Sequence, residues 1–223
     1  GKLAGLEVLR IINEPTAASL AYGIGLDPQE EKTIAVYDLG GGTFDISILK
    51  IQNGIFEVLS TNGDTFLGGD DFDRAIVDYW LEHNHVSKNT LHTDKSLSQS
   101  LRLQAEEAKI HLSNHDFYSG KHDSLQCNIS KAVFEQLTLP LVEKTIAAIL
   151  RALSDAKLTS DLIETIVMVG GATRIPLVKN TVAAFFGKPV NDSLNPDEVV
   201  ALGAAIQADV LAGNQKDILL LDV

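Results

Sequence analysis

The chain has 223 residues, 45% of them hydrophobic, and a formal net charge of −12. That length supports one large domain or two small ones around a real core, and the acidic balance argues against nucleic acid and anionic membrane as partners. The single cysteine, Cys127, excludes an internal disulfide and any multi-cysteine zinc or iron–sulfur site within one chain, and reads as a small buried hydrophobe. No apolar stretch approaches the length of a membrane span, and no basic segment with a cleavage site marks a signal peptide.

Gly1 to Val8 enters directly on a helical pattern with neither an initiator Met nor a capping residue, as if cut from a longer chain. Residues 3–10 read as helix, 10–13 as a short strand, and Pro15 suits the first turn of a helix running to about Tyr22. Strands follow at about 33–39, 43–51 and 55–62, and Asn53-Gly54 marks the second connection as a hairpin. Gly68-Gly69-Asp70-Asp71 opens a helix to about His83, with acids at its positive end. His85 to Ser96 reads as loop, and 97–113 as a helix with Leu97, Leu101, Ala105, Ala108 and Leu112 on one face. The segment 114–129 is polar and strand-capable. Ser130 caps a helix to about Ala156, with a bend expected at Thr138-Leu139-Pro140. Ile163 to Val169 has the β-branched composition of a strand buried on both faces, and helices at about 174–185 and 196–212 follow. The order predicts an α/β fold, a mixed sheet with flanking helices, interrupted by a smaller subdomain near 67–150.

The octapeptide Asp38-Leu39-Gly40-Gly41-Gly42-Thr43-Phe44-Asp45 carries the most chemistry. Three glycines between two strands let backbone N–H groups approach an anion and permit positive φ, so the turn can cradle phosphate oxygens. Thr43 adds a hydroxyl donor, and Asp38 and Asp45 are hard oxygen ligands suited to hydrated Mg²⁺. The same turn also suits a plain β-hairpin. Val167-Met168-Val169-Gly170-Gly171-Ala172-Thr173-Arg174-Ile175-Pro176 repeats the logic at the end of a buried strand, where backbone can meet a nucleotide closely. All six histidines fall between His83 and His122; His111 and His115 are four apart but have no clear third metal ligand, so they read as solvated side chains.

Together with Ile11-Ile12-Asn13-Glu14-Pro15-Thr16-Ala17-Ala18, Thr61-Asn62-Gly63-Asp64, Leu67-Gly68-Gly69 and Asn195-Pro196-Asp197-Glu198, these motifs resemble the nucleotide-binding domain of the seventy-kilodalton heat-shock chaperones. The resemblance runs essentially end to end. It implies an actin-like ATPase lobe with an RNase H-like core, and it makes this chain the second lobe: a core subdomain at 1–66 and 151–213, an inserted α+β subdomain at 67–150, and an interdomain linker at 214–223. It implies ATP or ADP as cofactor, with Mg and potassium. Gly40, Gly41, Gly42 and Thr43 would hold the β/γ-phosphates. Asp38 and Asp45 would serve the cations or their waters, with Glu14 positioning the metal waters and the attacking water. Glu106, Lys109 and Ser113 would face the adenosine; without the resemblance that face is a solvated Glu/Lys stripe. Gly170, Gly171, Ala172, Thr173, Arg174 and Ile175 would form the opposite wall, the planar Arg174 guanidinium stacking on the purine, and Asp197 would close the ribose side.

Ala172 stands where serine is common in that family, and the segment between Ser113 and Ile129 is shorter than in its general members. That shortening, with Val167-Met168-Val169-Gly170-Gly171, Ala204-Ala205-Ile206-Gln207-Ala208-Asp209 and Leu219-Leu220-Leu221-Asp222-Val223, resembles the iron–sulfur cluster assembly subfamily, and implies a bacterial cytoplasmic or mitochondrial matrix setting. The resemblance further implies peptide or iron–sulfur scaffold clients held by a C-terminal domain, a J-domain co-chaperone and a nucleotide-exchange factor. Arg10 and Asp222 are candidates for a charge pair between lobe and linker. The family's other phosphate loop and catalytic lysine lie upstream of Gly1, so the isolated chain is expected to bind nucleotide weakly and turn over negligibly. Three alternatives stand beside this reading: a general folding chaperone of the same family, an actin-like sugar or acetate kinase, and a non-catalytic lobe that binds only exchange factor or co-chaperone.

Overall fold

A computed structural model describes residues 1–23, 31–214 and 219–221. Its centre is a five-stranded mixed sheet in the order β6-β1-β2-β3-β7. Strands β1 (Lys32–Leu39), β2 (Phe44–Gln52) and β3 (Ile55–Asp64) form an antiparallel meander. Asn53 and Gly54 both take positive φ, 53° and 73°, the conformation an Asn-Gly hairpin turn requires. β6 (Thr165–Val169) joins β1 in parallel, and β7 (Leu219–Leu221) adds in parallel to the free edge of β3.

Alternation along the strands divides the interior in two. Ile34 and Val36 of β1, with Val167 and Val169 of β6, face helices α1 (Glu14–Gly23) and α7 (Val199–Leu211). Ala35, Tyr37 and Leu39, with Ile166 and Met168, face the other side. There they meet α5 (Lys131–Asp155) and α6 (Pro176–Phe186), and the same apolar cluster continues into α2 (Gly69–His83) and α4 (Lys95–Leu112). β6 is buried on both faces, as its composition predicts. Polar contacts fix α5 on the sheet: the Tyr37 hydroxyl donates to Thr145 Oγ1 at 2.9 Å, and Ser60 Oγ to the Ala152 carbonyl at 2.7 Å.

Several local expectations are corrected. Instead of a helix over 3–10, only a 3₁₀ turn forms at Lys2–Ala4, ended by Gly5 at φ 73°, and no strand forms at 10–13. Leu3, Leu6, Leu9 and Ile11 stay exposed, so no buried face supports a longer element. The expected loop at 85–96 contains a short helix, α3 (Thr90–Thr93), and α4 begins two residues early because Asp94 accepts the Leu97 N–H at 2.9 Å. The weakly patterned 114–129 segment is a hairpin of β4 (Phe117–His122) and β5 (Leu125–Ser130). It is anchored to α2 by the Trp80 indole N–H, which donates to the Asn128 carbonyl at 3.1 Å. The bend at Pro140 does not interrupt α5: proline and the Gln136 residue whose carbonyl loses its partner are both exposed, so water can replace the bond. The last two helices start at 176 and 199, later than 174 and 196, because 3₁₀ and turn structure precede each.

Candidate functional site

The glycine triplet closes as a turn in which the Gly40 N–H donates to the Thr43 carbonyl at 3.0 Å. None of Gly40, Gly41 and Gly42 takes a positive φ, so of the two freedoms expected of the triplet, approach of its N–H groups to an anion and positive φ, the second is not used. Close packing falls on the neighbouring Gly68 rather than on the triplet. The Gly69 N–H donates to the Gly40 carbonyl at 2.9 Å and the Asp70 N–H to the Gly41 carbonyl at 2.7 Å, so the start of α2 is seated on the turn. A Cβ on Gly68 would lie 2.4 Å from the Gly41 oxygen. On their outer side, Gly41 and Gly42 have no atom within 4 Å of where a Cβ would stand, and Gly41, Gly42 and Thr43 are exposed.

Two cavities flank this turn. The first, about 570 Å³, is lined by Glu14, Asp38 and Asp45 together with Asn13 and residues 58–61 of β3. Asp38 and Asp45 are direct partners across the β1–β2 ladder, and Glu14 opens α1. Burial pushes the Asp38 carboxyl up to about 7, and the charges of Glu14 and Asp45 add to that rise. Asp45 is raised by burial and then by Glu14. Directly opposed like charges are unfavourable in a sheet, and no lysine or arginine pairs with any of the three among the described residues. A hydrated divalent cation fits that donor set. No group of three His, Cys, Asp or Glu among the described residues stands close enough to hold an ion directly, so the fit is through water.

The second cavity, about 790 Å³, gathers most of the remaining predicted residues from four parts of the chain. Gly40 and Gly41 come from the turn; Glu106, Lys109 and Ser113 from α4 and its end; Gly171, Ala172, Arg174 and Ile175 from the β6–α6 junction; and Asp197 from the turn before α7. Gly170, at φ 85°, packs so closely that a Cβ would stand 2.4 Å from the Leu39 oxygen and 2.8 Å from Asp38 Oδ1. This junction therefore touches the acidic cavity as well. One guanidinium nitrogen of Arg174 donates to two acceptors, Asn195 Oδ1 at 2.6 Å and Asp197 Oδ2 at 2.7 Å. Thr173 stands apart: it is buried, and its hydroxyl donates to the Gly170 carbonyl at 2.6 Å. Gly42 and Thr43 sit at the exposed tip and line neither cavity.

Among the residues outside the sequence expectation, Asp73, Asn195 and Lys179 bind other side chains at the site. Asp73, buried in α2, receives Lys109 Nζ at 2.9 Å. Asn195 shares Arg174 with Asp197. Lys179 lines the second cavity while paired to Asp192 at 2.5 Å. Asn195 lay within a motif already singled out; Asp73 and Lys179 carry no local signal, because their partners are 36 and 13 residues away. His111 and His115 stack face to face with ring centroids 4.0 Å apart, and no group of three His, Cys, Asp or Glu that could hold a metal ion stands among the described residues.

A mixed sheet flanked on both faces by helices, with a glycine hairpin and a strand–glycine–helix junction lining adjacent clefts, defines the class of the actin-like ATPase domains. The family model described as "Hsp70 protein" matches residues 1–223, and the chain belongs to the Hsp70 family. It is similar to "Chaperone protein dnaK" of Cyanidioschyzon merolae (strain NIES-3377 / 10D), with 53% identity over 234 residues covering 100% of this chain and 38% of that relative. The chain thus spans less than half the length of the curated relative it matches.

Proposed function

We propose that this chain is the second lobe of the nucleotide-binding domain of an ATP-hydrolysing chaperone. The adenosine of ATP or ADP occupies the larger cavity, and the phosphates lie along Gly40 to Thr43. The observation that carries this is the convergence of four separate segments on one cavity of about 790 Å³, within the range of roughly 300–1,000 Å³ typical of small-molecule sites. Lys109 and Arg174 both line that cavity, and the exposed turn at Gly41 to Thr43 stands between it and the cavity lined by Asp38 and Asp45. Magnesium, with potassium as a further cation, would neutralise phosphate charge beside Asp38, Asp45 and Glu14. Glu14 then orients the metal waters and the attacking water.

In the whole protein, nucleotide state sets lobe closure and closure sets affinity for client peptides, with a J-domain co-chaperone and an exchange factor as partners. Similarity to a dnaK chaperone favours general protein folding. The short segment between Ser113 and Ile129, closed by the two-residue turn Asp123-Ser124, carries the resemblance to the iron–sulfur assembly chaperones, and with it the second reading, a scaffold role in a bacterial cytoplasm or mitochondrial matrix. We divide the lobe into a core at 1–66 and 151–213, a smaller subdomain at 67–150 and a linker at 214–223; α5 crosses the 150/151 boundary and bonds to the sheet on both sides of it, at Thr145 and Ala152. β7 lies in that linker and is paired along the β3 edge. The Arg10–Asp222 pair involves a residue outside those described.

Titration calorimetry on this chain alone and on the full-length protein tests the reading. We expect micromolar or tighter ADP binding only for the full-length protein, because one lobe supplies half of the phosphate clamp. Equal, tight binding by the isolated chain overturns the two-lobe assignment, and no binding by either overturns the nucleotide reading.

A further inference from the structure

Lys109 does not reach into the cavity as a free cation. Its Nζ lies 2.9 Å from Asp73 on α2 and donates to the Gly69 carbonyl at 3.2 Å. The pair is nearly dry, with side-chain exposures of 13% for Lys109 and 3% for Asp73. Gly69 is a junction: its own N–H holds the Gly40 carbonyl, and a Cβ there would meet Lys109 Nζ at 3.2 Å, the Gly40 oxygen at 3.6 Å and the Ala172 Cβ at 3.7 Å. The α4 wall, the glycine turn and the β6–α6 junction therefore meet at one residue, and the Lys109–Asp73 pair clasps it.

We propose that Asp73 is a positioning residue of the nucleotide cleft, holding Lys109 against the N-terminus of α2 so that the α4 wall and the glycine turn move as one unit. The inference rests on the nucleotide reading for its consequence, but the mechanical link is a property of the chain itself. Burial raises the Asp73 carboxyl while Lys109 pulls it back down, as a charge stabilised by one partner requires. A carboxylate with a single dry cation partner loses its function when that partner is neutralised, so the two residues should act as one.

The test uses the full-length protein with D73N, K109M and the double variant, which replaces the pair by neutral groups of similar size and guards against a single variant that fails to fold. Hydrogen exchange is read without nucleotide at the Gly69 and Asp70 amides, which are bonded to the turn. ADP affinity is read by calorimetry. We expect at least tenfold faster exchange in each single variant and about tenfold weaker ADP binding, with the double variant no worse than K109M in either measure. Unchanged exchange at both amides, or additive losses in the double variant, overturns the inference. If the wild-type protein binds no ADP, the nucleotide reading fails while the exchange data still decide the link between α4 and the turn.

Discussion

Burial pushes Asp38 from an ordinary value of 3.8 to about 7, with Glu14 and Asp45 adding their charges. A carboxyl that holds its proton more tightly in the folded chain favours folding below the unfolded pKa, and that contribution is lost as pH rises through the folded one, here between about 4 and 7. Asp38→Asn in magnesium-free buffer should therefore be more stable than the parent by about 1–2 kcal/mol at pH 8, the shift being discounted for solvent screening of a half-buried group. Urea unfolding at pH 4 should show the two nearly equal. Magnesium added at pH 8 should narrow the gap, since a cation relieves the same repulsion in the parent chain. A gap independent of pH would show that neither burial nor the neighbouring acids raise the Asp38 carboxyl in the fold. The residue scale was partly open to sequence reading: the acids and glycines of the site are local motifs, whereas Asp73 becomes visible only when α2 and α4 are packed.

Between elements, the crossing of α1 and α7 decides where Glu14 stands. A Cβ on Gly203 would lie 1.7 Å from the Ala17 carbonyl oxygen, so the helices touch backbone to backbone. Gly203→Ala must force them apart, at an expected cost of about 2–4 kcal/mol in chemical denaturation. Gly187 offers a contrast. It caps α6 at φ 67° with open space around it, so Gly187→Ala should cost only about 1 kcal/mol, from left-handed backbone alone. Comparable losses at the two positions would mean that the α1–α7 crossing yields easily. Element identity followed hydrophobic period for the meander, α2 and β6. The reading failed at 3–10, where a helical period had no face to bury; the strand-capable 114–129 segment does form strands, but the hairpin's boundaries and its packing on α2 and α4 were not legible in its weak pattern.

Over the whole molecule, β7 is the one described strand added from the far end of the chain, and it covers the edge of β3 at Ile55, Phe56 and Glu57. A chain ending at residue 213 should leave that edge open. We expect faster hydrogen exchange within 55–57 and more concentration-dependent self-association in sedimentation, because an unpaired edge is a template for another strand. Unchanged exchange in that stretch would mean that β7 contributes no protection. The strand is thus placed where a change at the terminal segment reaches β3, whose residues 58–61 line the acidic cavity.

Sequence alone determined the Hsp70 family, the meander around the glycine turn, and the segments that supply the two cavities, because each is written in residues close together along the chain. Tertiary structure alone decided that Lys109 answers to Asp73, that Arg174 is held between Asn195 and Asp197, that Thr173 turns inward, and that Gly68, not the glycine triplet, is the one pressed against the turn. Those outcomes depend on which helix lies over which turn, and burial energies summed across distant segments set that arrangement.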